Sequence, residues 1–170
     1  MQLAALAALL SASHATAQTV PSRSAFTHMS DQARERLITR LTAHPPYITR
    51  KRLPRGYELG RCLLKVDGRT LISGKCAYSI SKGGGFELDG PRQIYADVDF
   101  PGEDFPQGLS TDYFVVVNRE VHARGPDGPG WDAFWNEDKR ASHAQGHLGT
   151  VTRKGPCYWN ATAKICLWKK

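Results

Sequence analysis

Apolar residues recur at helical spacing once in this chain and at strand spacing over most of the rest. In "DQARERLITRLTAH", residues 31–44, Ala33, Leu37, Ile38 and Leu41 fall on one face while Arg34, Glu35, Arg36 and Arg40 take the others. That pattern predicts one short amphipathic helix. Ser30 or Asp31 is placed to cap it by accepting a backbone N–H. Pro45 and Pro46 stop it, because proline lacks the N–H and clashes with the preceding turn. Residues 18–30 read as a loose lead-in.

From Tyr57 onward the period is two. In "RCLLKVDGRTLISGKCAYSI", Cys62, Leu64 and Val66 share a side, Asp67-Gly68 supplies a turn, and apolar positions resume at Leu71 and Ile72. This predicts a hairpin. "FELDG" and "RQIYADVDF", where Ile94, Ala96, Val98 and Phe100 alternate, read as two further strands. "TDYFVVVNREVHARG" reads as a buried central strand followed by its neighbour. Residues 101–110 and 125–130 are expected to be loops, and 131–147 a short helix or an ordered loop. The end, from Leu148, reads as a final pair or trio of strands. The fold class expected is mainly β: a small antiparallel barrel or sandwich of 5–8 short strands, with one N-terminal amphipathic helix and two disulfides.

The first residues, "MQLAALAALLSASHATAQ", form an apolar run closing on the small residues of "ATA". They read as a secretory signal peptide over 1–17, too short to span a bilayer. The expected organisation is then a signal peptide (1–17), a basic N-terminal segment with the short helix (18–56), and a disulfide-stabilised β-domain (57–170). No later run is apolar enough to cross a membrane. Cys62, Cys76, Cys157 and Cys166 all follow the signal, and an even number of cysteines in a periplasmic or secreted chain favours two bridges. Four cysteines allow three connectivities, of which Cys62–Cys76 with Cys157–Cys166 fits the hairpins best. A two-residue turn at Ala161-Thr162 sets Cys157 opposite Cys166. In the first hairpin Cys76 overshoots Cys62, so a bulge near Gly74 or a wider loop must correct the register. Neither pair has the spacing of a zinc or redox motif.

Of the formal net charge of +7, residues 18–60 hold +5, concentrated in "RKRLPR" at 50–55. Arg50, Lys51 and Arg52 are therefore candidate contacts for an anionic envelope glycan or an acidic protein surface, although a solvated, flexible basic arm is the plainer expectation. Nucleic acid is not an expected partner for an exported chain. No cofactor is expected. His143 and His147, four apart in "HAQGH", would share a helix face and a zinc ion, but Gly146 weakens such a helix and no Glu stands where a metalloprotease base would. They read as ordinary histidines, so no metal site is expected. Asp97, Asp99, Glu103 and Asp104 supply oxygens without the spacing of a calcium loop. For a hydrolase, Asp132, Glu137 and Asp138 are further carboxylates, with His143 as the candidate working group. Trp131, Trp135, Trp159 and Trp168, with Tyr158, form an aromatic concentration expected mainly in the core.

Taken together, "CLLKVDG", "GKC", "GFEL", "WN", "ASHA", "LGTVTRKGPCYWN" and "AKIC" resemble a secreted, cysteine-containing β-domain of alphaproteobacteria, over residues 60–168. That resemblance implies export and no particular activity. "YSISKGGGFEL", residues 78–88, is also similar to a segment of the periplasmic inhibitors of C-type lysozyme, departing where those show a tryptophan and an alanine. This likeness implies that Ser79, Ser81 and Lys82 lie on a presented strand or loop. The function expected is that of an exported binding protein of the cell envelope, inhibitor or immunity-like in its concrete form. A small cell-wall hydrolase and a structural envelope protein are the alternatives.

Overall fold

The computed structural model describes residues 20–100, 110–125 and 128–169. The expected signal peptide lies outside them, as do Glu103 and Asp104. The lead-in is more ordered than its sequence suggests. Helix α1 (Arg23–Thr27) buries Phe26, whose ring meets Phe100 edge-on with centroids 4.9 Å apart. Helix α2 (Asp31–Ala43) is the one its periodicity predicts, with Ser30 Oγ accepting the Ala33 N–H and Leu37, Ile38 and Leu41 buried.

The strands are β1 (Tyr57–Val66), β2 (Arg69–Ile80), β3 (Phe86–Asp89), β4 (Phe114–Gly125), β5 (Gly128–Trp135), β6 (Gly146–Lys154), β7 (Cys157–Trp159) and β8 (Ala163–Trp168). Each pairs antiparallel with the next, and β8 returns to pair with β1, so the sheet closes into an eight-stranded barrel. Closure satisfies the backbone groups that an open edge would leave unpaired. At this strand number the interior is narrow enough for side chains to fill. Leu64, Ile72, Leu88, Val115, Val117 and Ile165 fill it, each from an inward position of its strand.

Three segments differ from their sequence reading. Residues 111–125 hold a single strand, β4, rather than two. Residues 131–147 hold the end of β5, an ordered connection and the start of β6. Buried Asn136 fixes that connection, accepting the Phe114 N–H at 2.6 Å and donating to Asp112 O at 3.0 Å. Residues 92–100 form no strand but a turn of helix, α3 (Ala96–Asp99). Asp99 sets this turn: its Oδ2 accepts the Tyr95 N–H at 3.1 Å while both carboxylate oxygens take the Arg52 guanidinium, at 2.7 and 2.8 Å.

Residues 45–53 are not a loose arm. Ile48 is fully buried between Ala77 of β2 and Tyr95, with Tyr57 and Leu59 of β1 alongside. The Ile48 N–H donates to Pro91 O at 2.8 Å, and the Arg92 guanidinium to Pro45 O at 2.7 Å. The N-terminal segment and the β3–β4 connection thus cover the outside of β1–β3 together.

Both disulfides join the expected partners, Cys62–Cys76 and Cys157–Cys166. Asp67 and Gly68 take φ of +49° and +77°, the two-residue turn that matches strand twist. The register correction comes from a bulge at Leu71 rather than near Gly74, since Leu64 pairs with Ile72 and Lys65 with Thr70. Cys62 then faces Gly74, and Cys76 faces Gly60. Each cysteine thus lies opposite a residue with no side chain, and the bridge runs diagonally inside the barrel. Cys157 lies directly opposite Cys166, as the Ala161-Thr162 turn predicts, and this bridge faces outward beside Leu63.

Candidate functional site

Among the described residues, the outer wall of β7, β8 and β1 gathers two exposed tryptophans and several lysines. Strand alternation sends Tyr158, Ala163, Ile165 and Leu167 inward, so Trp159, Lys164 and Trp168 point out. Trp159 and Trp168 are 49% and 43% exposed, far from the core position expected of them. Trp135, by contrast, is buried, and Trp131 packs against the core beside Tyr158. Around Trp159 lies an open cleft of about 510 Å³ bordered by Lys65, Lys154 and Lys164.

Asn160 makes this surface rigid. Its Nδ2 donates to Leu148 O and Thr150 O, at 2.8 and 3.2 Å, tying the turn to β6. Its Oδ1 accepts the Thr162 and Ala163 N–H groups, at 3.0 and 2.8 Å. The Asp67 N–H donates to Thr162 O at 2.8 Å, joining the β1–β2 turn to the β7–β8 turn. With the Cys157–Cys166 bridge at the other end, the hairpin that presents Trp159 is held at both ends.

The residues expected to bind are spread over three places. Ser81 and Lys82 lie exposed in the β2–β3 loop, where the Ser81 N–H donates to Gly85 O at 2.8 Å. This loop borders a depression of about 200 Å³ at the barrel mouth, with Arg153 and Lys169 on its rim. Ser79 points outward from β2, between Tyr57 and Glu87. Arg50 and Lys51 are exposed, Arg50 bordering a cleft of about 410 Å³ with Tyr57 and Leu53. Arg52 is engaged by Asp99 and by the Pro46 and Tyr47 carbonyls, a structural role that leaves it little to offer a partner.

His143 and His147 share no helix, so the spacing that would aim both at one zinc is not realised. His143 sits in the β5–β6 connection with Nδ1 3.2 Å from Ser142 Oγ. His147 lies on β6, its Nε2 3.0 Å from the Asp132 carboxylate and its ring stacked on Phe134. Among the described residues, no group of three or more His, Cys, Asp or Glu is gathered to hold a metal. Glu137 and Asp138 are exposed on the same connection, and Asp99 is committed to Arg52. No described helix is long and apolar enough to cross a membrane.

A second cluster sits under the N-terminal segment. Glu87 and Asp89 point outward from β3, and the Tyr95 hydroxyl donates to Asp89 Oδ2 at 2.6 Å. Burial, and then the charge of Glu87, push Asp89 up to about 8. Burial raises Glu87 as well, and burial together with these carboxylates raises the Tyr57 hydroxyl. Glu87 is half-buried and Asp89 fully buried, the latter covered by Tyr95.

Sequence reasoning missed Lys65, Lys154, Trp159 and Lys164 as a group. The available signal was the alternation in "YWNATAKICLWK", which sets both tryptophans and Lys164 on the face opposite Tyr158 and Ile165. Comparison with known proteins finds no matching family model, curated protein or solved structure.

Proposed function

We propose that this chain is an exported binding protein of the cell envelope, working in the periplasm or outside the cell, that engages a protein or an anionic envelope glycan through the outside of its barrel. The observation that carries the reading is Trp159, an exposed indole among Lys65, Lys154 and Lys164 on a hairpin fixed at both ends. Tryptophan is enriched where proteins make contact, since one ring supplies a large apolar face, and the ammonium groups around this one add charge to the same surface. Rigidity lowers the entropy lost when a partner docks. Two disulfides support export, because such bridges persist in oxidising compartments. Where the partner is a protein, the concrete form of the reading is an envelope enzyme that the chain inhibits, with Ser81 and Lys82 of the β2–β3 loop as added contacts.

Immobilised mature protein is expected to retain one component of a fractionated envelope extract in stoichiometric amount. The Trp159→Ala variant is expected to lose it, and Lys51→Glu, on the N-terminal turn, to keep it. Equal retention by Trp159→Ala would contradict the reading. So would release of soluble fragments from purified peptidoglycan by the wild type and not by His143→Ala, which is the behaviour of a hydrolase.

A further inference from the structure

The chemistry of the partner is constrained by how the outer wall handles charge. Two like-charge pairs stand directly opposite each other on neighbouring strands there: Arg61 with Lys75, and Lys65 with Lys164. All four residues are exposed. Directly opposed side chains have Cβ atoms about 5 Å apart, and like charges so placed destabilise a sheet. The described residues facing outward on β1, β7 and β8 include no carboxylate, so nothing on these strands offsets the repulsion. An anion lying between the paired cations would.

The aromatic rings are interleaved with these pairs. Trp159 is the cross-strand neighbour of Lys164, and Trp168 that of Arg61. Lys164 and Trp168 lie on the same face of β8, four positions apart, which sets the two rings roughly 13 Å apart at about 3.3 Å per strand residue. Two separated platforms, each beside a cation, suit a polymer better than a single ion. A pyranose ring can lay its C–H face on an indole while a carboxylate of the same sugar reaches an ammonium. Lysine suits this contact, being a mobile point charge rather than a fixed fork.

We propose that this wall binds an acidic polysaccharide, its rings stacked on Trp159 and Trp168 and its carboxylates set between Lys65 and Lys164 and between Arg61 and Lys75. The inference rests on the binding reading above and names the partner of the same surface. Single-stranded nucleic acid uses similar ingredients. Polysaccharide is favoured because the disulfide-bonded chain is read as working outside the cytoplasm, where acidic glycans are the abundant polyanions.

The test is a tryptophan-fluorescence titration of the mature protein with a defined-length oligogalacturonate, a neutral dextran of equal length and an oligothymidylate. Oligogalacturonate is expected to change the emission and to bind less tightly as salt rises, whereas dextran leaves it unchanged. Trp159→Ala and Trp168→Ala are each expected to weaken binding about tenfold, equivalent to about 1.4 kcal/mol. Lys164→Glu is expected to lose binding and yet raise the melting temperature, because it turns the repulsive pair with Lys65 into an attractive one. Lys51→Glu is expected to change neither, which separates a site from diffuse attraction to a basic protein. Equal binding of dextran, tighter binding of oligothymidylate, no binding of any probe, or equal weakening by Lys51→Glu would overturn the assignment. If it fails while Trp159→Ala still loses the envelope component, the binding reading stands and only the glycan falls.

Discussion

Asp89 points away from the barrel core and is nonetheless 2% exposed, because Tyr95 and the N-terminal segment cover it. Glu87, Tyr57, Tyr95 and Asp112 are its electrostatic neighbours. Its value rises from 3.8 to about 8, so the folded chain holds a proton that the unfolded chain releases earlier. A folded value above the unfolded one means stability that is complete below 3.8 and lost progressively as pH climbs to about 8. Asp89→Asn keeps an acceptor for the Tyr95 hydroxyl and removes the charge. It is expected to make urea-denaturation midpoints less pH-dependent across that window, and to be more stable than the wild type at its alkaline end. An unchanged slope would place the titrating group elsewhere. Nothing in "FELDG" announced this, since Glu87 and Asp89 alternate with Phe86 and Leu88 as any solvent face would. The covering residue comes from a different segment.

The Arg52–Asp99 pair makes the corresponding case for the elements. It pins the short 3-10 turn Arg50–Arg52 to α3, with the two side chains 13% and 2% exposed. Asp99→Ala would leave a largely buried guanidinium without its counter-charge and is expected to cost about 3–5 kcal/mol in urea denaturation. A loss below about 1 kcal/mol would show the pair behaving as an exposed one. Elements whose signals are local were legible. The α2 stripe, the Asp67-Gly68 turn and the Asn160 turn each lie within a few residues of what they determine. Residues 92–100 misled because Ile94 and Phe100 pack toward α2 while Tyr95 and Val98 pack toward the barrel, so two neighbours wrote an alternation that resembles a strand. The cysteine spacing called for a bulge in the first hairpin, but its position at Leu71 rather than near Gly74 was not legible, being set by the sheet rather than by the turn.

Barrel and sandwich share the same strand spacing, and what separates them is the pairing of β1 with β8, contacts about a hundred residues apart in sequence. That same pairing creates the candidate surface, because it brings Lys65 beside Lys164 and Arg61 beside Trp168. Sequence reading therefore found the aromatics but neither Lys65, Lys154 and Lys164 nor the arrangement that gathers them, and it placed the basic contact at residues 50–52, where Arg52 is held by Asp99. The barrel interior is filled by side chains, so the proposed contact falls on its outside, and the four tryptophans are placed to report on where. Trp159 and Trp168 stand on the outer wall, Trp135 in the core and Trp131 against it. The most direct test is a ¹H–¹⁵N correlation spectrum of the four indole N–H groups during titration with oligogalacturonate. The Trp159 and Trp168 resonances are expected to move together and saturably while those of Trp131 and Trp135 stay in place. Stationary Trp159 and Trp168 signals, with shifts confined to the backbone around Lys82 and Gly83 or around Arg50 and Lys51, would contradict the account.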